Sequence, residues 1–249
     1  GKEPEKSLRG GRFVKGLAVH KIERGYDVSV LMFNWDSAFP GLLLYDRTAA
    51  LKGAQNALPA FATFLEHVGA YLSKHPGYAK PALLVHSMGS IVLQHTLEAS
   101  KWQAGRLFAY AVLSEPDADD IDHANWLTAL GNLETTFITM NRDDRVLQRS
   151  TDDRPPGAHA LGLDTDQPLA VNVKYIDLTN MGPLGAKDDD HEVFGKGAMN
   201  GQIYACQFFT QAIRGEPVEL DTATNVESVS RGVVYKLKSR TDPGAACLV

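Results

Sequence analysis

Short apolar runs alternate along this chain with longer segments of helical period. Residues 47–74 hold the clearest helix. Leu51, Ala54, Leu58, Phe61, Leu65, Val68 and Leu72 recur three and four apart, which lays them on one face. Pro76-Gly77 stops it. Residues 12–24 predict another helix, with Phe13 and Leu17 four apart, as are Val14, Ala18 and Ile22, and with Gly25 as the stop. Further helices are expected at 88–100, at 125–130 and at 198–214, the last closed by Gly215. Strands are expected at 27–35, 82–86, 107–113, 135–140 and 171–178. These runs are β-branched and apolar without a polar alternation, as in strands covered on both faces. Strands alternating with helices imply an α/β fold, a mostly parallel sheet with helices on both sides.

What lies between these elements is polar. Residues 1–11 are charged and read as a loop, and residues 36–45 form a loop holding the apolar stretch Leu42-Leu43-Leu44-Tyr45. The Asp-, Pro- and Gly-rich segment 145–168 reads as a lid or a plain surface insertion. Residues 216–249 read as a C-terminal tail with one edge strand at 233–238. No repeat and no linker divides the chain, so its 249 residues are expected to form a single domain.

Composition narrows the classes. A net charge of −5 argues against nucleic acid as a partner, because phosphate binding needs a basic surface. No apolar run approaches the roughly 20 residues of a membrane helix, so no integral membrane segment is expected. No signal peptide is visible, which makes the cytoplasm the default compartment. Cys206 and Cys247 lack a metal-ligand spacing and read as two free thiols, with a disulfide as the alternative.

The chemistry concentrates at Ala82-Leu83-Leu84-Val85-His86-Ser87-Met88-Gly89. An apolar strand ends at a serine and a helix starts at once, the pattern of a nucleophile elbow. Such a turn exposes the serine oxygen. It also aims the following backbone N–H groups, Met88 first, at the same point, where they can stabilise an oxyanion. Gly89 fits the G-x-S-x-G pattern, but Val85 stands where the first glycine belongs. The plainer reading is a serine capping a core helix.

A serine nucleophile needs a base, and the base an orienting acid, in the chain order serine, acid, histidine for this type of turn. His191 follows the last core strand and precedes the closing helix, so it is the expected base ahead of His95, His123 and His159. Asp144, beyond the strand 135–140, is the expected acid, with Asp143 and Asp117 as rivals. The acidic patches Asp117 to His123 and Asp188 to His191 lack an EF-hand pattern, and neither a metal nor another cofactor is expected.

At these residues the chain resembles the α/β-hydrolases, and more narrowly a largely bacterial group of them. That group carries Phe-x-Trp-x-Ser, Tyr-x-x-Asp-Arg, His-Ser-Met-Gly and Asp-Arg-x-Leu segments. They stand here as Phe33 to Ser37, a contracted Tyr45-Asp46-Arg47, His86 to Gly89, and Asp144 to Leu147. The resemblance covers about residues 12 to 214 and implies a serine hydrolase acting on small, perhaps lipid-like esters. It also implies a strand ending in His-Gly that supplies a second oxyanion donor. No segment before Arg12 matches it, so that strand is expected upstream of Gly1. Trp35, at a neighbouring strand end, and Leu42 and Leu43 are expected to line the substrate pocket. An acyltransferase with the same triad, a peptidase or amidase, and a non-catalytic binding protein on the same fold remain as alternatives.

Overall fold

A computed structural model describes residues 31–35, 47–78, 80–99, 107–131, 133–151, 153–181, 191 and 202–242. In chain order its elements are helix α1 (Arg47–Lys74), strand β1 (Ala82–His86), α2 (Gly89–Ala99), β2 (Tyr110–Ser114) and α3 (His123–Leu127), which runs into a 3-10 turn at Thr128–Leu130. Then come β3 (Thr135–Met140), α4 (Arg145–Thr151), β4 (Val173–Asp177), α5 (Ile203–Arg214), β5 (Val226–Ser230) and β6 (Val234–Leu237). The expected helix 12–24 and the loop with Leu42 and Leu43 lie outside the described residues.

The strands form one six-stranded sheet in the order β1-β2-β3-β4-β6-β5. Every pairing is parallel except β5 with β6. Side chains alternate across a strand, and the alternation splits the core in two. Val85, Ala111, Leu113, Ile138, Met140, Val173 and Tyr175 pack with α1, α2 and α3. Val112, Phe137 and Ile176, their neighbours in sequence, face the other way and pack with Phe208, Phe209 and Ala212 of α5. Apolar runs without polar alternation therefore mark strands covered on both faces, as the sequence predicts.

The register of the parallel strands matters most for the site. His86 lies opposite Ser114, and Met140 opposite Asp177. The loops leaving β1, β2, β3 and β4 thus emerge along one rim, where the C-terminal ends of parallel strands bring distant residues together.

Three expectations need correction. The tail holds two strands, and the strand expected at its edge is interior: β6 sits between β4 and an outer β5. Val226-Glu227-Ser228-Val229-Ser230 escapes prediction because its side chains after Val226 are exposed, so no apolar run marks it. Residues 31–35 carry no strand pairing. Leu31 and Met32 are exposed, while Phe33 and Trp35 pack partly against the core, so this apolar run reports burial rather than a ladder. Cys206 is disulfide-bonded rather than a free thiol; Cys247 lies outside the described residues. Among the described residues no helix is long and apolar enough to cross a membrane.

Candidate active site

β1 ends at His86 and α2 begins at Gly89, so the chain reverses within two residues. Ser87 takes a left-handed φ of 51°, which costs a residue with a Cβ about 1–3 kcal/mol. The surroundings impose it. The Ser87 N–H donates to Ser114 O at 3.0 Å, extending the β1–β2 ladder past its end. The Ser87 carbonyl accepts from Ser90 N at 3.0 Å, Asp117 N at 3.1 Å and Ser90 Oγ at 2.7 Å. The Ser90 hydroxyl in turn accepts from Ala118 N at 2.9 Å. Because the peptide is planar, fixing this carbonyl fixes the Met88 N–H in the opposite direction. Among the described residues that N–H meets no acceptor.

The substitution of Val85 for the first glycine is also explained. A Cβ built on Gly89 would lie 3.3 Å from Val85 Cγ1 and 3.6 Å from the Trp35 ring. The bulk of Val85 is accommodated because position 89 has no side chain. The same contact places Trp35 beside the first turn of α2.

His191 Nε2 lies 2.9 Å from Ser87 Oγ, and its Nδ1 2.6 Å from Asp144 Oδ2. With the ring proton on Nδ1, His191 donates to Asp144 and accepts from the serine hydroxyl. Both partners are buried, Asp144 fully and His191 to within 4%. Asp144 Oδ1 accepts the N–H groups of Val146 and Leu147, each at 2.9 Å. The carboxylate therefore caps α4 with one oxygen and holds His191 with the other. Burial pulls the His191 pKa down, but the hydrogen bond and charge of Asp144 outweigh it and hold the imidazole above its ordinary value.

The rivals have other partners. Asp143 Oδ2 accepts from Asn180 N. Asp117 is buried against Arg154 and accepts from the Ser150 hydroxyl at 2.7 Å. Arg154 also pairs with Asp119, as does Arg47, at 3.1 Å. Asp120 accepts from His159 N and the Thr165 hydroxyl. The Asp117 to His123 patch is thus spent on internal contacts, and these pin the segment 153–165 against the loop after β2. His123 is a core residue between Asp120 O and the Tyr175 hydroxyl, and burial lowers its pKa. His95 faces Glu98, and His159 is exposed.

Two further groups meet at the site. Glu115, the first residue after β2, is completely buried and has a left-handed φ of 47°. Its carboxyl oxygen lies 3.7 Å from His86 Nε2, and His86 Nε2–H donates to the His191 carbonyl at 3.0 Å. Sequence reasoning passes over Glu115 because a glutamate before a proline at a strand end reads as an ordinary turn. His86, Glu115 and His191 offer ligand atoms within 4.8 Å of one another. A cation there would have to displace Ser87 or Asp144 from His191, so the donor set fits an ion poorly. A cavity of about 210 Å³ lies elsewhere, lined by Met140, Arg142, Asp164, Asp177 and Lys236 among others, and touches none of Ser87, His191 and Asp144.

Comparison with known proteins adds no identity to this geometry: no protein-family model matches the chain, and neither a curated protein nor a solved structure does.

Proposed function

We propose that the chain is a serine hydrolase of the α/β-hydrolase type that cleaves carboxylic esters through an acyl-enzyme on Ser87. One observation carries the reading: the continuous hydrogen-bonded relay Ser87–His191–Asp144 at the rim of a parallel sheet. A serine that merely caps a helix needs neither a buried histidine on its hydroxyl nor a buried carboxylate behind that histidine. The order of elements supports the same type. The serine follows β1, the acid follows β3 two strands over, and the histidine follows β4.

His191 takes the Ser87 proton as the oxygen attacks the ester carbonyl, and Asp144 stabilises the imidazolium. The Met88 N–H, fixed by the pinned Ser87 carbonyl, donates to the oxyanion. His191 then gives its proton to the departing alcohol. Water, deprotonated by the same imidazole, releases the acid. No cofactor enters this cycle.

The test is a series of p-nitrophenyl esters of increasing acyl length, with matched anilides, on the wild type and Ser87→Ala. Turnover of esters over anilides, lost by several orders of magnitude in Ser87→Ala, is the expected result. A variant as fast as its parent, or a wild type inert to every ester, would refute the reading. Ester formation with an added alcohol would reassign the chain as an acyltransferase.

A further inference from the structure

The relay leaves two ionisable groups at the site without a task, and both touch His191. Glu115 is placed there at a cost. A left-handed φ is unfavourable for a residue with a Cβ, and a following proline restricts the backbone further. Its N–H donates to Thr139 Oγ1 at 2.9 Å, in the middle of the sheet. The turn also leans on Gly162, where a Cβ would fall 2.5 Å from Glu115 C and 2.6 Å from Pro116 N. Gly162 N–H donates to Pro116 O at 2.8 Å, and Gly162 O accepts from Asn141 N at 2.7 Å. A strained, braced turn that buries a carboxyl against two histidines is an expensive way to end a strand, unless the carboxyl is used.

We propose that Glu115 and His86 are positioning residues, a second acid–histidine pair behind the nucleophile that holds His191 by its backbone carbonyl and faces its ring with a carboxyl that ionises together with it. The inference rests on the serine-hydrolase reading. His86 clamps the base through its Nε2–H, which lies between His191 O at 3.0 Å and Glu115 Oε2 at 3.7 Å. The two histidine rings are 4.8 Å apart, centre to centre.

Glu115 acts on the ring by charge. The groups facing it are His86 at the end of β1, His191, and Asp144 from the loop beyond β3. Burial is the largest influence and raises its pKa, the histidines oppose that, and Asp144 reinforces it. Asp117, two residues on, also bears on His191 but is paired with Arg154. Two buried groups within 4.8 Å of each other do not titrate independently. The pair loses its protons in two steps, and an ionised Glu115 favours the imidazolium that forms when Ser87 attacks.

The experiment is the rate of inactivation of the full chain by a fluorophosphonate, followed against pH in the wild type and in Glu115→Gln, which keeps the shape and removes the charge. The wild type is expected to show two ionisations on its acid side. Glu115→Gln should show one, moved down by about 1 to 3 pH units. A merely structural role would lower the plateau and leave the midpoints in place, and that result overturns the proposal. So does a single ionisation in the wild type, which decides the matter even if the variant does not fold. In both cases a wild type labelled at Ser87 leaves the hydrolase reading standing; a wild type that is never labelled there takes both down.

Discussion

Replacing Asp144 by asparagine changes almost no shape and should disable the relay through one proton. The side-chain oxygen of an asparagine is claimed by the Val146 and Leu147 N–H groups, which now meet Asp144 Oδ1 at 2.9 Å. Turning the amide over would point its NH2 at those donors and leave both buried and unsatisfied, at about 1–3 kcal/mol each. The NH2 therefore takes the place of Oδ2, at 2.6 Å from His191 Nδ1. A donor there forces Nδ1 to accept, so the ring proton moves to Nε2, the nitrogen facing Ser87 Oγ at 2.9 Å. His191 then has no lone pair for the serine proton. The expected loss is about 10⁴-fold in kcat, or about 5 kcal/mol in the barrier. Ester hydrolysis measures it, with thermal unfolding as a check that the variant keeps its fold. An Asp144→Asn protein within tenfold of wild type would show that Asp144 does not orient the base.

Gly162→Ala should lower stability by about 1–3 kcal/mol or more, because its Cβ meets the backbone of Glu115 and Pro116 and no side chain can yield. Gly77→Ala, where nothing lies within 4 Å, is the control, and equal melting temperatures would contradict the packing. The base works only as neutral imidazole, and Asp144 holds its pKa up. Activity should therefore be present at high pH and fall as pH drops through a midpoint above about 6.5; a midpoint below that value would contradict the relay. A thiol reagent applied to the unfolded, unreduced chain should find no thiol, and after reduction should find both cysteines. Reaction of both without reduction would refute the disulfide.

The helix 47–74, the strands 82–86 and 135–140 and the elbow are legible in the sequence because each follows a local rule: a helical period, a two-sided apolar run, a strand that breaks at a serine. Asp144 and His191 are legible because this topology fixes where acid and base must fall. Other features depend on neighbours that no local pattern reports. β5 has an exposed face and exists through its pairing with β6. Asp144 and Asp143 are alike in sequence, and only the capping of α4 turns the first toward His191. Glu115 reaches the site through a left-handed turn that Gly162 makes room for, across 47 positions of sequence.

The central claim is that Ser87 is a nucleophile activated by His191. The direct measurement is peptide mapping by mass spectrometry after treating the full chain with a fluorophosphonate. The account predicts one adduct, on Ser87, absent from Ser87→Ala and formed orders of magnitude more slowly in His191→Ala. No adduct on the folded wild type, or an adduct on another residue with Ser87 untouched, would contradict it.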